Sequence, residues 1–141
     1  MFDRWKHRPM IAETRLSALA IIHSQTDREQ LGRIFKKAGW KIVFEDGIEA
    51  AAGQIYMVML CDRDLPGVDW RQAVQQLASG QPRRGVILAS SVVDDYLWEE
   101  VIQLGGYDVL SKPFREDEVI HAIEFAWAAI TKSLPSAPRT R

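Results

Sequence analysis

Apolar side chains fall into five short runs, at residues 16–22, 41–44, 55–61, 86–89 and 107–110. Each has the length of a strand. The first, third and fourth are apolar at consecutive positions, the pattern of strands buried on both faces. Between the runs the period becomes helical. Leu31, Ile34, Phe35 and Ala38 share one face of a helix that Thr26 or Asp27 is expected to cap and Gly39 to end. Residues 46–53 make one short helical segment. Asp69 is placed to cap a helix with Ala73, Val74 and Leu77 on its inner face. Asp94 or Asp95 caps another, with Leu97, Val101 and Leu104 at i, i+4 and i+7, and Gly105-Gly106 stops it. A last helix over 115–131 carries the stripe Val119, Ile123, Ala126, Trp127 and Ile130. Glu116, Asp117 and Glu118 fall in its first turn, where the helix dipole favours acids.

Five strands alternating with five helices predict a doubly wound α/β domain. Strands joined through helices run parallel, and right-handed crossovers place helices on both faces. Such sheets bind ligands beyond the carboxyl ends of their strands. The residues ending the strands are therefore read first: His23-Ser24, Cys61-Asp62, Ser90-Ser91 and Ser111-Lys112.

Composition narrows the possibilities. The chain has 141 residues, one cysteine (Cys61) and a formal net charge of −1. One cysteine excludes an intrachain disulfide framework and a multi-cysteine zinc site. No apolar run approaches the ~18–20 residues of a membrane helix, and no secretory h-region is present. A cytoplasmic protein that binds neither membrane nor nucleic acid is the expectation. The charge is unevenly spread. Residues 16–131 carry 11 basic and 17 acidic residues, while 1–15 and 132–141 are basic. The expected division is an N-terminal tail (1–15), one domain (16–131) and a C-terminal tail or linker (132–141).

Asp62 follows the buried run Met57-Val58-Met59-Leu60-Cys61 and precedes the turn Arg63-Asp64-Leu65-Pro66-Gly67. Ser90 ends the fourth strand. Lys112 ends the fifth, and Pro113 after it holds the lysine backbone extended. A carboxylate, a hydroxyl and an ammonium converging at a sheet end suit phosphoryl capture by the aspartate. The ammonium offsets phosphoryl charge, the hydroxyl holds one oxygen, and a divalent metal neutralises the rest.

At this point the chain resembles a receiver domain of two-component response regulators. The most specific segment is Leu60-Cys61-Asp62-Arg63-Asp64-Leu65-Pro66-Gly67-Val68-Asp69, which is similar to the family's phosphoacceptor segment. Gly105-Gly106-Tyr107-Asp108-Val109-Leu110-Ser111-Lys112-Pro113-Phe114 resembles its fifth-strand signature, and Val86-Ile87-Leu88-Ala89-Ser90-Ser91 its fourth strand. The resemblance spans about Leu16 to Ile130. It implies a flavodoxin-like (βα)5 fold with strand order 2-1-3-4-5. It also implies Asp62 as phosphoacceptor, Ser90 as the hydroxyl that follows the phosphoryl group, and Lys112 as the lysine that contacts it. Asp64 takes the position whose main-chain carbonyl joins Asp62 in coordinating Mg²⁺. The implied partners are a sensor histidine kinase and a downstream protein or second copy. The latter docks on the face of the fourth helix, fifth strand and last helix, where Trp98 and Ile102 lie off the buried stripe.

Three features depart from the family pattern. His23 and Ser24 stand where two adjacent acids normally end the first strand, and no acid occurs before Asp27, expected in the first helical turn. Mg²⁺ prefers hard carboxylate oxygens, so its binding is expected to be weakened. Val109 replaces the aromatic residue that usually reports phosphorylation. Tyr107, two residues earlier, is expected on the same face of the strand. The second helical segment is short. The sequence therefore supports a phosphoacceptor receiver, with a phosphorylation-independent interaction or dimerisation module as the alternative. An enzyme is not expected: G-x-S-x-G, Walker-type and G-x-G-x-x-G motifs are absent.

Overall fold

The computed structural model describes residues 16–80 and 83–132. Its elements follow in the order β1 (Ser17–Ile21), α1 (Gln25–Ala38), β2 (Lys41–Glu45), α2 (Ile48–Ala52), β3 (Val58–Asp62), α3 (Trp70–Ala78), β4 (Gly85–Ser90), α4 (Asp95–Gln103), β5 (Asp108–Ser111) and α5 (Glu116–Lys132). All four strand pairings are parallel, and the sheet order is β2-β1-β3-β4-β5. The order in which strands are added reverses after β2, from one side of β1 to the other, so the sheet's crevice opens between the ends of β1 and β3. The two expected tails lie outside the described residues, apart from Lys132, which closes α5.

Alternation along the central strands builds two cores. Ala18, Ala20, Val58, Leu60, Ile87 and Ala89 face α1 and α5, where Leu31, Phe35, Val119 and Ile123 cover them. Leu19, Ile21, Met59, Cys61, Val86 and Leu88 face the other side, under Val74, Leu77, Leu97 and Val101. Each fully buried Leu or Ile stabilises the fold by roughly 1.5–3 kcal/mol. That burial holds the strand ends, and with them the site, in fixed register.

The predicted elements are present, with adjusted edges. The apolar run at 55–61 begins too early: Ile55 is 74% exposed and the strand starts at Val58. Asp69 and Asp94 cap α3 and α4 as expected, accepting from the Arg71 and Leu97 amides. The first helix differs. Neither Thr26 nor Asp27 caps it. Ser24 does, its hydroxyl accepting from the Asp27 amide at 3.3 Å. One consequence is that the Asp27 carboxylate is free of the cap. Tyr107 is a second correction. It packs with the core under α1 and α5 and donates to the Phe125 carbonyl at 3.3 Å, whereas Val109 packs on the opposite face. The strand begins only at Asp108, so its alternation does not extend back to Tyr107.

Two glycines at the end of α4 are dictated by shape. Gly105 adopts φ +98°, a left-handed conformation suited to glycine. At Gly106 a Cβ would lie 2.5 Å from Val101 Cγ1, so the chain there admits no side chain. Arg84 is buried at the start of β4. It donates to the Ala52, Gln54 and Leu77 carbonyls at 2.7, 3.1 and 3.0 Å, tying the ends of α2 and α3 to the sheet. Its burial holds its pKa below the ordinary arginine value.

Candidate functional site

The end of β3 delivers Asp62 into the crevice with 5% of its surface exposed. Lys112, from the end of β5, reaches across and donates to both Asp62 carboxylate oxygens, at 3.2 and 3.1 Å. The Asp64 amide donates to Asp62 Oδ1 at 3.0 Å, so the turn after β3 also orients the carboxylate. The Lys112–Pro113 bond is cis. Burial alone would lower the Lys112 pKa, but hydrogen bonds to Asp62 and Asp27 and their charges outweigh it and raise it. The ammonium therefore stays charged at neutral pH.

Asp27 is the residue that reading the strand ends alone did not bring to the site. Its carboxylate lies 3.1 Å from Lys112 Nζ, and both side chains keep only 16% of their surface exposed. The one available signal was that Asp27 is the first acid after β1. Its reach depends on Ser24 taking the cap. His23 and Ser24 are occupied elsewhere: His23 Nε2 donates to the Asp46 carbonyl at 3.0 Å, and Ser24 caps α1. The adjacent-acid positions thus serve local structure, and one carboxylate arrives instead from the first turn of α1. Asp64 is exposed, and its contact with the site is the main-chain amide bond to Asp62.

Ser90 is buried at the end of β4. Its hydroxyl donates to the Val92 carbonyl at 2.7 Å and accepts from the Val92 amide at 3.1 Å. It also accepts from Arg63 Nη1 at 3.5 Å. The Lys112 amide donates to the Ser90 carbonyl at 2.9 Å, locking the two strand ends together. Carboxylate, lysine and hydroxyl are therefore gathered at one end of the sheet.

Sequence comparison decides the family. The profile of the response regulator receiver domain matches residues 19–124. The chain belongs to this family. Its relatives include the chemotaxis protein CheY of Listeria monocytogenes, 26% identical over 79% of this chain and 98% of that protein. The transcriptional regulatory protein FixJ of Bradyrhizobium diazoefficiens is 26% identical over 78% of this chain but only 54% of its own length. Solved structures agree on the fold. The receiver domain of response regulator TorR superposes with TM-score 0.70 at 17% identity, covering 82% of this chain and 98% of that one. The receiver domain of a Pseudomonas aeruginosa sensor histidine kinase, with a magnesium ion coordinated in its active-site cleft, superposes at 0.69 with 18% identity, covering 81% and 98%. This receiver therefore has the fold and the signalling class of two-component response regulators, whose receivers are typically phosphorylated on aspartate.

Beside the receiver's site lies Cys61, under the same strand end but facing the opposite core. Burial, then the Asp62 charge, pushes its thiol up to about 12. A thiol is nucleophilic as thiolate, so Cys61 is inert. Native protein is expected to leave a thiol-reactive disulfide reagent unconsumed, and to consume one equivalent in denaturant.

Proposed function

We propose that this receiver accepts a phosphoryl group on Asp62 from the phosphohistidine of a sensor kinase, and that the change alters binding of a downstream partner. The supporting observation is Lys112, whose ammonium donates to both oxygens of a nearly buried carboxylate at the sheet end. In the transfer, an Asp62 oxygen forms a bond to phosphorus as the P–N bond to the donor imidazole breaks. The imidazole nitrogen keeps the electron pair. Lys112 offsets the charge on the transferring group, and Ser90 supplies a hydroxyl for one of its oxygens. The paired carboxylate and ammonium favour this reading over a phosphorylation-independent module.

The donor chemistry fits Mg²⁺, with Asp62, Asp27 and the Asp64 main-chain carbonyl as hard oxygen ligands. The ion supplies charge neutralisation for the phosphoryl oxygens when bound. Lys112 already bonds both carboxylates, so the ion competes with its ammonium and weak binding is expected. Restoring the missing acids is expected to strengthen it. Asp caps a helix as well as Ser does, so Ser24→Asp combined with His23→Asp adds two carboxylates while keeping the α1 cap. Titration calorimetry is expected to show Mg²⁺ affinity raised at least about tenfold. Unchanged affinity would place the metal away from the end of β1.

The partner surface proposed is the α4-β5-α5 face, where Trp98 and Ile102 are 45% and 37% exposed. No helix among the described residues is long and apolar enough to cross a membrane. The phosphoacceptor reading is tested by incubating the protein with acetyl phosphate at millimolar Mg²⁺ and measuring the intact mass. Gain of one phosphoryl group is expected, and its absence overturns the reading.

A further inference from the structure

Arg63, immediately after the phosphoacceptor, is placed unlike a surface arginine. It is half-buried, and its guanidinium donates to the Ser90 hydroxyl at 3.5 Å. Its Cζ also lies 5.8 Å from the centre of the Trp70 ring. Trp70 is 6% exposed and begins α3. The same ring carries a second guanidinium, that of Arg71, at 4.7 Å. Arg71 in turn forms an ion pair with Glu100 on α4. One continuous set of contacts thus runs from Ser90 through Arg63, Trp70 and Arg71 to α4.

We propose that Arg63 is a phosphoryl-binding residue of this receiver, and that its departure from Trp70 reports phosphorylation to α4. The inference rests on Asp62 being the phosphoacceptor. The Ser90 hydroxyl is committed to the Val92 carbonyl in this structure. Once an anionic phosphoryl group occupies Asp62, that hydroxyl gains a stronger acceptor. The guanidinium already bonded to the hydroxyl gains a multiply charged oxygen group, which it binds far better than a neutral hydroxyl. A cation–π contact is weaker than a charge-assisted pair and yields to it. Removing Arg63 takes one of the two nearby cations from Trp70 while Arg71 stays at 4.7 Å. The Arg71–Glu100 bridge is the direct link from that ring to α4.

Two features of this chain make the role specific. Val109 has no ring to swing, so the usual aromatic reporter on β5 is missing. The site also has fewer carboxylates for a metal than the family pattern provides, so a second fixed cation near Ser90 supplies positive charge that a weakly held ion does not. Lys112 is already shared between Asp62 and Asp27.

The test compares wild type, R63Q and R63K in acetyl phosphate with Mg²⁺. Phosphoryl uptake is followed by intact mass and tryptophan emission by stopped flow, with W70F identifying the reporter ring. The expected result is an emission change in wild type that is absent in W70F and lost in R63Q. Uptake in R63Q falls on the order of tenfold, and R63K restores part of the rate without the emission change, because Lys lacks the planar stacking group. Wild-type uptake with R63Q matching it in both rate and emission overturns this proposal alone. No uptake in wild type overturns the phosphoacceptor reading and this proposal with it.

Discussion

Asp62→Asn is expected to abolish phosphoryl uptake, by at least about a hundredfold, while leaving the fold in place. The reason is chemical. A carboxylate oxygen carries the electron pair that bonds to phosphorus, and a neutral amide oxygen is a far poorer nucleophile. The surroundings tolerate the change. An Asn carbonyl still accepts from the Asp64 amide, which donates to Asp62 Oδ1 at 3.0 Å, and Lys112 keeps Asp27 as an anionic partner at 3.1 Å. Thermal melting is therefore expected to change by only a few degrees. Asp27→Asn is the informative companion. Asp27 also reaches Lys112, but it stands on α1 rather than at the end of β3. Its loss is expected to raise the Mg²⁺ concentration needed for uptake while leaving the phosphoryl group on Asp62. Intact mass after acetyl phosphate treatment, followed by peptide mapping, separates the two carboxylates. Uptake that survives in Asp62→Asn and vanishes in Asp27→Asn would reverse their assignment.

Much of this geometry was legible in the sequence because it depends on rules of short range. The largely consecutive apolar positions of β1, β3 and β4 matched strands covered on both faces, and the intervening helical periods then pointed to a parallel sheet. Asp62 and Lys112 followed, since each stands at the end of an apolar run, Lys112 one residue beyond it, and sheet ends are where ligands bind. What was not legible depended on side-chain competition. Ser24, Thr26 and Asp27 all suit a helix cap, and only the packed helix shows that Ser24 takes it and releases Asp27 toward Lys112. The placement of Tyr107 failed for a related reason. Period-two alternation holds only inside a strand, and the chain before Asp108 is still leaving the turn closed by Gly105 and Gly106. Arg63 read only as the first residue of the turn after Asp62, because a stack on Trp70 seven residues away carries no local signature.

Lys112→Met is expected to cost about 2–4 kcal/mol of stability at neutral pH, visible as a melting temperature lowered by roughly 10 °C. Methionine keeps most of the side-chain length but removes the charge. Asp62 and Asp27 then face each other across the crevice without the ammonium that both contact at 3.1 Å. Breaking a shielded pair from one side is costly because the remaining charge keeps its desolvation and loses its compensation. The companion variant isolates that term. Lys112→Met combined with Asp62→Asn removes one of the two opposed charges, so it is expected to be more stable than Lys112→Met alone, a coupling read from the double-mutant cycle. The pH dependence has a definite sign. The Lys112 pKa is raised in the folded protein, so its stabilising contribution is complete below the ordinary lysine value of about 10.4 and is lost as pH rises through the raised one. The gap between wild type and Lys112→Met should therefore stay constant from neutral to mildly alkaline pH and close only in strong alkali. A gap that closed near neutrality would show that Lys112 is not held between the two carboxylates in solution. The same bridge would then be too loose to neutralise a phosphoryl group on Asp62.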